Sequence, residues 1–107
     1  MAYGNLIKRK IEIKEFLDIV KTYKPDQIEC TAHTFFRLSE EQRKIFKCEN
    51  LKEFILNDEP ILVGLQFNGN YATFYSYEKK IMRMMLNIQY EKINIVTFYF
   101  VNQLPRI

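Results

Sequence analysis

The only histidine in the chain, His33, is followed four residues later by Arg37, and Arg43 and Lys44 come soon after. An imidazole can carry a proton, and a guanidinium can hold phosphate oxygens in a fork of hydrogen bonds. On one helix, His33 and Arg37 would share a face. Tyrosines recur downstream at Tyr71, Tyr75 and Tyr77, and Arg83, Asn87, Thr97 and Tyr99 follow. Cleavage of RNA without metal needs three things. A base must take the 2′-hydroxyl proton, a cation must stabilise the phosphorane, and an acid must protonate the leaving 5′ oxygen. Histidine, arginine and tyrosine together can supply them.

Other chemistries lack their residues. There is no Walker or dinucleotide glycine pattern, no Gly-x-Ser-x-Gly and no paired-carboxylate site. Cys30, His33 and Cys48 make three soft ligands where a structural zinc site wants four. No metal or cofactor is expected. The two cysteines cannot build a disulfide framework, and a reducing compartment suits them better than a bridge.

The positioning elements can be read from periodicity. Residues 11–22 repeat apolar positions at helical spacing (Ile13, Phe16, Leu17, Val20), and Pro25 blocks continuation. A second helix is expected from Thr31 through Arg37, with Ser39 and Gln42 forming a capping box that restarts it. A third runs from Glu49 to Asn57. After Pro60 the pattern turns to strands at 61–67, 70–77, 81–89 and 93–101. Asn68-Gly69 between the first two is a strong hairpin signal. The spacings force an antiparallel meander, because parallel crossovers need a dozen or more residues.

The expected fold is therefore α+β. N-terminal helices (about 11–57) pack on one face of a four-stranded antiparallel meander (about 61–101), in a single domain over 1–107. With a two-residue Asn68-Gly69 loop, Leu65 pairs with Ala72 and Val63 with Phe74, and those residues cover the helices. The opposite face then collects Tyr71, Tyr75, Tyr77, Arg83, Asn87, Gln89, Thr97 and Tyr99, a platform on which RNA bases could stack. Tyrosine and threonine also suit any half-buried strand, so an ordinary sheet explains that composition equally well.

Composition sets outer limits. The chain has 107 residues, 48% of them hydrophobic, enough for a packed core. No apolar run is long enough for a membrane span and no signal peptide is evident, so a cytoplasmic, non-membrane protein is expected. The net charge of +3 lies in the second half. Residues 1–60 balance eleven basic against eleven acidic residues, and residues 61–107 carry five against two. A weakly basic sheet suits a polyanion.

Several segments resemble the RelE-like toxin superfamily, in the fold group of barnase-like and colicin-type nucleases. They are His-Thr-Phe-Phe-Arg (33–37) with Glu-Gln-Arg-Lys-Ile (41–45), Gln-Phe-Asn-Gly-Asn-Tyr (66–71), Met-Leu-Asn-Ile (85–88) and Val-Thr-Phe-Tyr (96–99). The resemblance covers roughly residues 30–107. It implies a metal-independent endoribonuclease, the toxin of a toxin–antitoxin pair, with RNA and a small antitoxin as partners. Homo-oligomerisation is left open. Carried onto this chain, it implies His33, Arg37, Tyr75 and Thr97 as catalytic residues. Arg43 is implied as an RNA contact, beside Tyr71, Tyr77, Arg83 and Asn87 from the sheet face. The alternatives are a non-catalytic RNA- or protein-binding module on the same fold, or a viral or plasmid adaptor.

Overall fold

The computed structural model describes residues 6–106. Its strands are β1 (Ile7–Lys10), β2 (Ile28–Cys30), β3 (Leu62–Gln66), β4 (Tyr71–Tyr77), β5 (Lys80–Gln89) and β6 (Lys92–Val101). Its helices are α1 (Ile13–Val20), α2 (Glu40–Ile45) and α3 (Cys48–Asn57). The six strands form one sheet in the order β1-β3-β4-β5-β6-β2. This corrects the expected four-stranded antiparallel meander. The meander β3–β6 is there, but β1 adds an antiparallel edge and β2 adds a parallel one against β6.

Both extra strands come from segments too short to show a period. In β1, Ile7 is followed by Lys8, Arg9 and Lys10, all exposed, a composition that discourages further pairing at a sheet edge. In β2 only Ile28 turns fully inward, pairing with Ile93.

The expected helix over 31–37 is replaced by a run of turns. Thr34 explains why. Its buried hydroxyl donates to Ile95 O (2.6 Å) and accepts from Thr31 N (2.7 Å), while Phe98 N donates to Thr34 O (3.0 Å). These bonds dock the loop on the open edge of β6, beyond the end of β2. A helix could not make them, since threonine side chains that bond nearby backbone compete with helical geometry. Helix α2 then starts where the capping box placed it. Gln42 N donates to Ser39 Oγ (3.2 Å) and Ser39 N to Gln42 Oε1 (3.0 Å).

The β3–β4 turn decides the faces. Its loop has three residues, Phe67-Asn68-Gly69, instead of two. Gly69 N donates to Gln66 O (3.0 Å), Gln66 N donates to Asn70 O (2.8 Å), and Gly69 sits at φ +91°. That is a type I turn closed by a residue in the left-handed region, the usual three-residue hairpin. The register becomes Leu65↔Tyr71 and Val63↔Thr73, one residue away from the expected pairing. A one-residue slip turns every side chain of a strand to the other face. Tyr71, Tyr75 and Tyr77 therefore face the helices, and Ala72 and Phe74 face away.

The main core lies between the helices and the inner face of the sheet. Phe16 and Val20 of α1 and Leu51 and Ile55 of α3 pack with Tyr75, Met82, Met84, Leu86, Ile93, Ile95 and Phe98. A smaller cluster of Leu62, Ala72 and Phe74 forms on the outer face, with Ile7, Ile81 and Val101 against it. In β6 the pairing skips at Val96, so Thr97 and Tyr99 lie outward opposite Met85 and Arg83, while Phe98 stays inward.

Contrary to the expectation of two free thiols, Cys30 and Cys48 are joined, with Cα atoms 6.0 Å apart. The bond ties the end of β2 to the first residue of α3. Closing a loop of this length is worth about 3 kcal/mol through the unfolded state.

Thr34→Val keeps the shape of the side chain but leaves Ile95 O and Thr31 N without their hydroxyl partner. It should destabilise the fold by roughly 1–3 kcal/mol in urea denaturation, the usual penalty for orphaned buried polar groups. A variant as stable as the parent would show that the loop does not depend on this anchor.

Candidate nucleic-acid interface

Tyr99 is the centre of the outer face. The Arg37 guanidinium lies 3.7 Å from the centre of its ring. Arg83, the cross-strand partner of Tyr99, lies 5.9 Å from that ring and 5.2 Å from the ring of Phe74. Two cations thus flank one tyrosine, brought together by the docked 31–37 loop and the β5–β6 pairing. Neither arginine takes part in an ion pair among the described residues. The Arg83 Nε is buried and has no hydrogen-bond partner among the described residues.

Thr97 stands two residues from Tyr99 on the same face. Further along β5, Asn87 Nδ2 donates to Asn70 Oδ1 (2.9 Å), and Gln89 Nε2 donates to Asn87 Oδ1. On the loop, His33 is exposed and meets Phe36 edge-on, with ring centres 6.2 Å apart. Phe36 is 73% exposed, an unusual position for so large an apolar ring. The loop and outer face therefore present an imidazole, two exposed or half-exposed aromatic rings, two arginines and a row of amides.

Of the expected residues, Arg37, Arg83, Asn87 and Thr97 share this outer face, and His33 lies on the loop that brings Arg37 to it. The others do not join them. Tyr71 lies on the inner face against Phe16 (6.4 Å), and Tyr77 lies there against Phe46 (5.2 Å). Tyr75 is 1% exposed, with a buried hydroxyl that makes no well-formed hydrogen bond among the described residues. Burial pushes its phenol well above the ordinary tyrosine value; the nearby Thr73 hydroxyl, which donates to Met84 O, opposes this in part, and Asp58 adds to it least. Tyr75 is thus no proton carrier for a substrate on the far side of the sheet. Arg43 also has a different job. Its Nε donates to Phe35 O and its Nη2 to Phe36 O, both at 3.1 Å, so it braces the loop that presents Arg37.

Two important residues escaped the expected set. Tyr99 belongs to the expected stacking platform but not to the expected site residues, and Phe36 belongs to neither. The consecutive pair Phe35-Phe36 carries a weak signal. In a loop, one ring of such a pair can pack inward while the other is left out. A cleft of about 540 Å³ lies elsewhere, on the inner side near the β4–β5 turn, lined by Ile45, Phe46, Tyr77, Lys80 and Phe100. Tyr77 is the only expected site residue it touches.

No group of His, Cys, Asp or Glu suited to a metal occurs among the described residues. Nor is any helix among them long and apolar enough to cross a membrane. No protein-family model, curated protein or solved structure matches the chain.

Tyr75→Phe tests the inward assignment. Removing an unsatisfied buried hydroxyl should leave the melting temperature unchanged or raise it. The sign of the pH effect follows from linkage. The folded state holds the phenolic proton more tightly than the unfolded state. Stability from this group is therefore complete below pH 10 and is lost as pH rises beyond it. The parent should lose stability above pH 10 more steeply than Tyr75→Phe in melts across that range. Identical alkaline slopes would place the tyrosine in solvent.

Proposed function

We propose that the protein binds single-stranded RNA on the outer face of its sheet and cleaves it there without a metal. The observation that carries this reading is the pair of unpaired arginines on Tyr99, beside a loop that exposes His33 and Phe36. Arg37 and Arg83 are placed to hold phosphates, and the Tyr99 and Phe36 rings to stack on bases, each stack worth roughly 1–3 kcal/mol. Imidazole is the side chain suited to taking the 2′-hydroxyl proton. Attack of that oxygen on phosphorus would leave a 2′,3′-cyclic phosphate and a free 5′-hydroxyl, the leaving oxygen taking its proton from solvent water because Tyr75 lies on the other face. Arg37 would stabilise the charge that develops on the phosphorane. A cytoplasmic location suits an RNA substrate. A small antitoxin covering the same face would be its partner, in keeping with the resemblance to RelE-like toxins.

A second reading is binding without cleavage. The burial of Tyr75 favours it, because that removes the expected second proton carrier from the substrate side.

Binding and cleavage can be separated on one set of preparations, with a fluorescent single-stranded RNA in EDTA. Arg37→Ala and Arg83→Ala should weaken binding and each reduce the slope of log affinity against log salt by about 0.7. His33→Ala should bind RNA normally and lower the cleavage rate by roughly 10²–10⁴-fold. RNA bound but left intact by the parent would establish the second reading. RNA left unbound by the parent would overturn both.

A further inference from the structure

The segment between Cys30 and Cys48 contains His33, Phe36 and Arg37, and its attachments to the rest of the fold are few. At its start, Thr34 bonds to Ile95 and Phe98, and Thr31 Oγ1 donates to Val96 O (3.4 Å). In the middle, Leu38 is buried. Beyond it, α2 contributes no buried residue, and its capping box is internal to the segment. The bonds from Arg43 to Phe35 O and Phe36 O are internal too. Phe46 then packs against Phe98 and Tyr77. The disulfide is thus the one covalent closure of a loop otherwise anchored at Thr31, Thr34, Phe35, Leu38 and Phe46. Both cysteines are half-buried, at the rim of the core and within reach of solvent.

We propose that the Cys30–Cys48 bond is a redox switch on RNA binding. Oxidation holds the 31–47 loop so that Arg37 stays on Tyr99, and reduction releases it. This rests on the RNA reading above. The chemistry is thiol–disulfide exchange with a dithiol. One thiolate of the dithiol attacks Cys30 or Cys48 and displaces the other cysteine as a thiolate. The second thiol of the reagent then closes its own disulfide, freeing the first cysteine. Two electrons and two protons pass from the dithiol to the cysteines. In the reducing compartment where RNA is handled, disulfides are typically transient and redox-sensing, which suits a switch better than a staple. The closed loop restricts the conformations open to the segment. Breaking it enlarges that set at the point where the arginine must be held.

The test compares the full chain oxidised and after dithiothreitol, with alkylation and mass measurement to count two blocked thiols in the reduced form. Reduction should weaken single-stranded RNA binding by about tenfold, within the usual range of coupling between sites. Re-oxidation should restore it. Cys30→Ser with Cys48→Ser should bind at the reduced level whether or not dithiothreitol is present. Amide hydrogen exchange supplies a readout independent of RNA. Residues 31–38 should exchange faster on reduction, while β5 stays protected. Equal exchange over 31–38 in the two forms overturns the switch, even if the oxidised protein binds no RNA. So does equal RNA affinity in the two forms. Complete loss of β5 protection on reduction also overturns it, because the reduced protein would then be unfolded and not merely opened at the loop.

Discussion

The turn at Phe67-Asn68-Gly69 is the constraint from which much of the rest follows. Because Gly69 adopts a positive φ, the chain reverses over three residues, and Leu65 comes opposite Tyr71. That register sends the tyrosines of β4 toward α1 and α3, where Tyr71 meets Phe16 and Tyr75 meets Phe54. It also turns Phe74 outward, under the guanidinium of Arg83. A two-residue loop would have exchanged the two sets and put three phenols on the surface. The core would then have had to be built around Ala72 and Phe74. A single left-handed residue thus selects both what the helices pack on and what is left for a ligand.

The second determinant is the open edge of β6. Strand β2 pairs with it only as far as Cys30↔Ile95. At that point β6 bulges at Val96, and Thr34 takes over the edge with one side-chain and one backbone bond. The bulge turns Thr97 and Tyr99 outward, while the loop carries Arg37 around the edge to meet Tyr99. Strand pairing, bulge and threonine anchor therefore act together, and the arginine–tyrosine stack is their product. Arg43 adds to this from α2 by fixing the carbonyls of Phe35 and Phe36 just before Arg37.

What could be read in the residues was what repeats or caps. Helices α1 and α3, the Ser39–Gln42 box and the four meander strands all carry their own local signals over four to ten positions. The edge strands β1 and β2 do not, because three or four residues with one or two packed side chains have no period to detect. Asn68-Gly69 signalled a hairpin correctly but not its length, since Gly69 serves both two- and three-residue loops. The face assignment of β4 failed on that one residue, whereas β5 and β6 placed Arg83, Asn87, Thr97 and Tyr99 correctly outward. The cysteine pair was invisible for another reason. Its formation depends on β2 ending beside the start of α3, a tertiary fact that eighteen residues of spacing do not encode.

Arg83 shows where stability and binding part ways. Its guanidinium covers Phe74 and so helps close the small outer cluster, a contribution of the cation–π kind worth about 0.5–1 kcal/mol at a partly exposed site. Yet its Nε is buried with no acceptor, and an unmet buried donor costs roughly 1–3 kcal/mol. The fold alone gains little from that arrangement; a methionine would cover Phe74 without the penalty. The terminal nitrogens of the same guanidinium, unlike Nε, could meet a phosphate or base oxygen close to Tyr99 in a charge-assisted bond made only in the complex. The same residue that is poorly satisfied in the free protein is thus well placed to favour a bound one, and Arg37, held on the same ring by a loop with few anchors, would tighten with it.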